Sequence, residues 1–307
     1  MKGKRLKRTG RLMKKYWILY LMLLAPIAAL IIFHYVPFYG ILMAFQNYKP
    51  SLGVSGSQWV GFKHFETFIN YPYFGRLIKN TLTLSLYALA CFPMPIVLAI
   101  MFNEIRSNRL KKTCQTILYL PHFVSTVVVC GMTLMFIKED GGLINMIIKA
   151  FGGEAKEWIS FPELFPLIYQ TSGVWTSLGW GTILYTASLA SLSQEHIEAA
   201  RIDGASRTQI IRHIYIPHLK PIIIIQLILQ LGGILSVGFE KAYLLQNPLN
   251  LSASSIISTY SYGVGLVGGE YSYAAAIGLF NNIISIIMVL TTNFISKKVS
   301  DERLGLI

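Results

Sequence analysis

The sequence predicts an all-α, polytopic membrane protein with about six transmembrane helices and both termini cytoplasmic. Three observations lead there. Of the 307 residues, 53% are hydrophobic and 13% charged, with a mean hydropathy of +0.52, whereas soluble domains carry about 25% charge. Six apolar stretches, near 16–36, 77–102, 115–137, 165–190, 221–244 and 274–296, are long enough to cross a bilayer, which takes about 20 residues. The Lys and Arg residues fall unevenly between the two sets of alternate loops. A strand barrel is excluded by the length of these runs and by their lack of period-two alternation.

In chain order, residues 1–15 are a basic tail holding Lys2, Lys4, Arg5, Lys7, Arg8, Arg11, Lys14 and Lys15. The apolar run from Tyr16 to Val36 resembles a secretory signal but is too long for one, so it is read as an uncleaved first span. Residues 16–76 hold that span and the first outer loop; 77–296 form a core of five further spans; 297–307 are a second cytoplasmic tail. Arg106, Arg109, Lys111 and Lys112, then Arg201, Arg207, Arg212 and Lys220, then Lys297, Lys298 and Arg303 lie on the same side as the tail. That bias places both ends inside. Pro93 and Pro95 should kink the second span and Pro121 the third. Gly179 and Gly181 should let helices approach closely. The outer loops 37–75 and 138–164 are rich in aromatics, with an amphipathic piece from Leu143 to Phe151 suited to an interfacial helix. Ser254 to Tyr262 is a possible helix in the third outer loop.

Several chemistries are excluded. The net charge of +13 is broken up by apolar runs, which favours membrane lipid over nucleic acid as a partner. Cys91, Cys114 and Cys130 have no CxxC spacing, so neither a disulfide nor a metal site is expected. His34 and His122 stand at opposite ends of spans without companion ligands. No catalytic constellation is visible, and no residue is assigned to catalysis or to metal.

The informative stretch is the loop 191–220. It reads as two short helices joined by a tight turn. Ser191 with Gln194 is a possible capping box for the first helix; Asp203-Gly204 ends it, with Gly204 able to turn left-handed. Ser206 with Gln209 can cap the second, which should run to Pro217. Ile210, Ile211 and Ile214 share a face, apart from Arg207 and Arg212. Ala199 and Ala200 permit close approach by another surface, and Glu198 offers a charge to a partner cation. A docking element and a plain amphipathic connector both fit these features.

Glu198-Ala199-Ala200, Gly204 and Ile214-Tyr215-Ile216-Pro217 together resemble the EAA loop of ATP-binding-cassette importer permeases. Pro37-Phe38-Tyr39-Gly40, Phe45-Gln46-Asn47-Tyr48 and Trp59 to Phe65 resemble the first outer loop of the carbohydrate type. Phe239 to Pro248 and Tyr271 to Ala276 resemble its oligosaccharide/polysaccharide, lipoprotein-linked subgroup. Ile216 stands where Leu is usual. The resemblance implies a type I importer permease, the first of two paired permeases. It implies coupling to ATPases through Glu198, Ala199, Ala200, Asp203, Gly204, Ile214 and Pro217. Its partners would be a second homologous permease, two cytosolic ATPase subunits and an extracytoplasmic solute-binding protein or lipoprotein. The sequence has no GxxxxGK[ST] phosphate loop. No cofactor is therefore expected in this chain, ATP and Mg being bound by the partner ATPase, and the chain itself is not an enzyme.

Candidates for the substrate path are the polar and aromatic residues of the spans. Gln226 and Gln230 are four apart on one helix face, placed to line the path or to bond between helices. Glu240, about twenty residues and roughly 30 Å into the fifth span, falls near its outer boundary with Lys241 beside it. Tyr243 follows it in the motif. Asn281 and Asn282 lie in the sixth span. Trp175, Trp180 and Tyr185 of the fourth could stack on a sugar or simply pack. The expected function is translocation of an oligosaccharide or polysaccharide fragment. The alternatives are a permease of the same superfamily for a non-sugar solute, and an ion-coupled secondary transporter. The last would need paired intramembrane carboxylates.

Overall fold

The computed structural model describes residues 15–235 and 237–299. The basic tail before residue 15 and the chain from residue 300 lie outside the described residues. Two compact units are present: the chain up to Phe68 with Val264–Leu279, and Ile69–Gly263 with the chain from Phe280.

In the smaller unit, α1 (Trp17–Leu30) continues through a π-turn at Ile31–Tyr35 and a 3-10 stretch at Val36–Phe45. The apolar helix is thus 29 residues long, extending past the expected end at residue 36. Pro37 does not stop it: it stands where the π-turn passes into the 3-10 stretch. A two-residue antiparallel ladder pairs β1 (Gln46–Asn47) with β2 (Gln58–Trp59) in the loop that follows. Phe45 stacks on Trp59 at 5.5 Å and meets Phe62 and Phe65 at 5.5 and 5.4 Å. The Tyr48 N–H donates to Ser272 Oγ at 2.8 Å.

The larger unit begins with α2 (Phe74–Ala90) and α3 (Pro93–Glu104), which form one 31-residue apolar run interrupted where Pro93 and Pro95 predict. The third span is a sharper break than a proline kink. α4 (Asn108–Tyr119) passes through a 3-10 turn at Leu120–Phe123, and α5 (Thr126–Ile137) leaves it at 100°. Val124 and Ser125 are extended, and Ser125 Oγ accepts from Val128 N–H, so a new helix is capped there rather than the old one bent. α6 (Leu143–Ala150) is the short helix expected within 138–164. The fourth expected span is α7 (Phe165–Gly181) and α8 (Ile183–Ala190), jointed at Thr182.

α9 (Gln194–Ile202) precedes the largest correction. The expected helix ending at Pro217 and the expected span 221–244 are instead one 26-residue helix. It runs from Arg207 through a π-turn at Ile211–Tyr215 into α10 (Ile216–Gly232). The π-turn widens the helix just before Pro217, so that proline continues it instead of ending it. The helix stops at Gly232-Gly233, and a side chain at 232 would lie 2.4 Å from Val289, so only glycine fits that contact. After the interruption, α11 (Phe239–Leu245) is a separate short helix, so Glu240 is not at the far end of a continuous span. The possible helix Ser254–Tyr262 is split into Leu251–Ser254 and α12 (Ile257–Tyr262), and α13 (Tyr271–Val299) closes the fold. By length and apolar character, four helices among the described residues can cross a membrane, or five counting the bent pair.

Three buried asparagines hold the segments between helices. Asn145 donates to the Lys138 and Lys156 carbonyls at 2.8 and 2.9 Å and accepts from Trp158 Nε1 at 2.8 Å. Asn250 donates to the Ile159 and Leu245 carbonyls at 2.9 and 3.1 Å. Asn80 donates to the Ser252 and Ser255 carbonyls at 3.0 and 2.8 Å. Irregular backbone needs such partners where water is scarce.

Candidate functional site: a coupling loop and a polar cavity

The loop 191–220 is built locally. Ser193, not Ser191, is the N-cap of α9; Ser191 Oγ donates to the Ser188 carbonyl instead, so the first expected capping box is absent. The end of α9 is a Schellman turn. Ala205 N–H donates to Ala200 O at 2.9 Å, Gly204 N–H donates to Arg201 O at 3.1 Å, and Gly204 has φ +80°. The second box is present: Ser206 N–H donates to Gln209 Oε1 at 2.7 Å, while Ser206 Oγ accepts from Gln209 N–H at 3.4 Å.

Packing then decides which face is presented. Ile197, Ile210, Tyr215 and Leu219 are buried in one cluster with Ala99, Ile100, Tyr185 and Leu189, and Ala200 and Ile214 pack against it. Ile214 therefore anchors the loop rather than facing outward. Glu198, Ala199, Asp203, Gly204 and Pro217 are exposed. Ile202, which sequence reasoning passed over, is 86% exposed beside them. Tyr215 OH donates to Glu104 Oε1 at 3.0 Å, and the His218 ring meets the Ser188 carbonyl at 3.0 Å. Arg207–Gly232 is one helix, so the loop and the amides Gln226 and Gln230 stand on the same element.

Those two amides line a cavity of about 610 Å³ together with Gln170, Ser177, Trp180 and Tyr185. His122 lies flat on Trp180, with ring centroids 4.2 Å apart and planes at 7°. Glycines create this corner: a side chain at Gly179 would lie 2.0 Å from Leu118 O, and one at Gly181 would lie 3.1 Å from Pro95 Cγ. Gln230 also lines a second cavity of about 310 Å³, bounded by Ser85, Tyr169 and, beside the interruption of the long helix, Gly233, Ile234, Val237 and Gly238. Beside it, Ser85 Oγ donates to the Ile234 carbonyl and Tyr169 OH donates to the Gly238 carbonyl at 3.4 Å.

The remaining path candidates do not gather there. Trp175 lines a separate apolar cavity of about 590 Å³ with Phe136, Ile148 and Trp158. Glu240 is exposed on α11. Tyr243 stacks with Phe239 at 5.5 Å and meets Tyr262 at 5.1 Å. Asn281 and Asn282 line neither polar cavity. Gln170 and Ser177 were missed, although Gln170, Val174 and Ser177 share one helix face by the spacing that linked Gln226 with Gln230.

A family model for the binding-protein-dependent transport system inner membrane component matches residues 72–301. The chain belongs to this family. It is therefore a membrane-embedded importer permease, and ATP hydrolysis resides in a partner subunit. It is 42% identical to Protein LplB of Bacillus subtilis strain 168, over 98% of this chain and 95% of that one. It is also 42% identical to the polygalacturonan/rhamnogalacturonan transport system permease protein YteP of the same organism, over 92% and 89%. Among solved structures it matches a chain of a bacterial ABC transporter involved in import of the acidic polysaccharide alginate. The TM-score is 0.88 and the identity 40%, over 96% of this chain and 100% of that one. A second match, TM-score 0.87 and 39% identity over 96% and 99%, is the alginate transporter in complex with an alginate pentasaccharide-bound periplasmic protein.

Proposed function

We propose that this permease imports an oligosaccharide cut from an acidic polysaccharide, passing it through the cavity lined by Gln170, Trp180, Gln226 and Gln230. That cavity is the observation that carries the reading. Amides both donate to and accept from sugar hydroxyls, and an indole covers the apolar face of a sugar ring. Relatives at about 40% identity are named for polygalacturonan and for the acidic polysaccharide alginate. The permease pairs with a second homologous permease and two cytosolic ATPase subunits, which hold ATP and Mg. It takes sugar from an extracytoplasmic binding protein or lipoprotein. The exposed face of Glu198, Ala199, Asp203 and Gly204 engages the ATPase; the long helix from Arg207 carries the movement to the cavity.

The test is uptake by the assembled transporter in proteoliposomes. Each neutral hydrogen bond is worth about 0.5–1.5 kcal/mol. The Gln226→Leu, Gln230→Leu double variant should therefore raise the half-saturating sugar concentration about tenfold, with ATPase co-purification unchanged. Unaltered uptake would remove the cavity from the path. Sidedness has its own test: a cysteine replacing Gly56 should react with an impermeant thiol reagent in intact cells, and one replacing Ser206 only after permeabilisation. Labelling at 206 in intact cells would reverse the assigned orientation.

A further inference from the structure

Lys241 is the half-buried cation of α11, immediately after the interruption of the long helix. Its ammonium donates to the Tyr169 carbonyl and sits 4.3 Å above the centre of the Tyr169 ring. Gly173, one turn along α7, makes the room: a side chain there would lie 2.8 Å from Lys241 Nζ. The backbone is secured as well, with Cys130 Sγ 4.0 Å from the Lys241 carbonyl. Among the described residues no carboxylate pairs with this ammonium. Glu240, its neighbour in sequence, is exposed.

A cation kept in apolar surroundings without a counter-ion is costly, and in membrane proteins such a residue marks a path or a ligand. A carbonyl oxygen and a ring face are weaker partners for an ammonium than a carboxylate. Tyr169, on which the ammonium rests, is itself a wall of the 310 Å³ cavity, as is Gly238. That cavity and the larger one share Gln230 and Ala88. The cation is thus one side chain away from the proposed sugar path, on a flexible four-carbon stem.

We propose that Lys241 determines specificity for charge: as a uronate-containing chain passes the interruption, its ammonium leaves the Tyr169 carbonyl and pairs with a sugar carboxylate. This rests on the oligosaccharide reading above and narrows it to carboxylate-bearing sugars. No covalent step is involved.

The experiment measures binding to the detergent-solubilised transporter without its binding protein, whose own preference would mask the effect. The probes are an oligogalacturonate and the same oligomer with its carboxyls reduced to alcohols. Lys241→Gln should weaken the acidic oligomer about tenfold or more and leave the reduced oligomer unchanged; Lys241→Arg should retain most of the acidic preference. In the native protein, mass spectrometry should show the acidic oligomer, and not the reduced one, protecting Lys241 from an amine-modifying reagent. This second measurement does not depend on the variants assembling. Equal loss of both oligomers with no protection would make Lys241 a structural clasp and overturn the proposal. So would a Lys241→Gln protein that still prefers the acidic oligomer. A native complex that binds neither oligomer would overturn the sugar reading itself, and with it this assignment.

Discussion

Replacing Glu198 by Ala is expected to detach the ATPase from an otherwise intact permease. Glu198 is exposed on α9, next to Ala199 and the 86%-exposed Ile202, so it contributes nothing to the chain's own core. Truncating one member of a hydrogen-bonded interface charge pair costs about 2–5 kcal/mol, a loss of roughly thirtyfold to several thousandfold in affinity. Gly204→Val should act on the same docking through the backbone. At φ +80° a β-branched residue is strained, although nothing lies within 4 Å of where its Cβ would stand. The Schellman turn that sets the angle between α9 and the long helix would open. Arg207→Ala, exposed at the other side of the turn, should be close to neutral. Co-purification of the ATPase and sugar uptake are the readouts. If Glu198→Ala and Gly204→Val keep both while Arg207→Ala loses them, the docking face has been placed on the wrong side of the loop.

Gly179→Ala should be the most damaging single methyl in the transmembrane core. Its Cβ would stand 2.0 Å from the Leu118 carbonyl oxygen and 3.1 Å from Tyr119 Cδ1. The obstacle is backbone, which cannot turn aside as a flexible side chain can. Overpacking of this kind costs about 3 kcal/mol, the upper end of its usual range. The contact also places Tyr119 OH 3.3 Å from Thr182 Oγ1 and the His122–Trp180 stack beside the cavity. Gly131→Ala is the matched control: it lies in α5 with nothing within 4 Å of its Cβ, and there alanine should be neutral or stabilise the helix by up to about 1 kcal/mol. Thermal unfolding in detergent and the yield of monodisperse protein measure both. Equal behaviour of the two variants would refute the close α4–α7 packing.

Features whose partners are near in sequence were legible without the structure. Gly204 takes the left-handed conformation, and Ser206 and Gln209 cap each other, because these need only neighbouring residues. Ser191 failed as a cap because Ser193 starts the helix two residues later, a shift that local pattern does not resolve. Gln226 and Gln230 were paired correctly by helical spacing. Their company in the cavity was not legible: Gln170 and Trp180 come from α7, and Trp175, five residues before Trp180, faces a different cavity.

By itself the sequence determined the membrane class, the family, the apolar segments and the chemistry of the 191–220 turn, since each depends on hydrophobic length or on residues a few positions apart. Only the tertiary structure decided where the spans break. A π-turn just ahead of Pro217 lets the long helix continue through that proline, and the helix stops at Gly232-Gly233, where Gly232 packs against Val289. It also decided that Lys241 rests on Tyr169, in the gap left by Gly173. Between apolar helices the hydrophobic effect distinguishes one face from another poorly, so close glycine contacts and polar partners far apart in sequence set the packing.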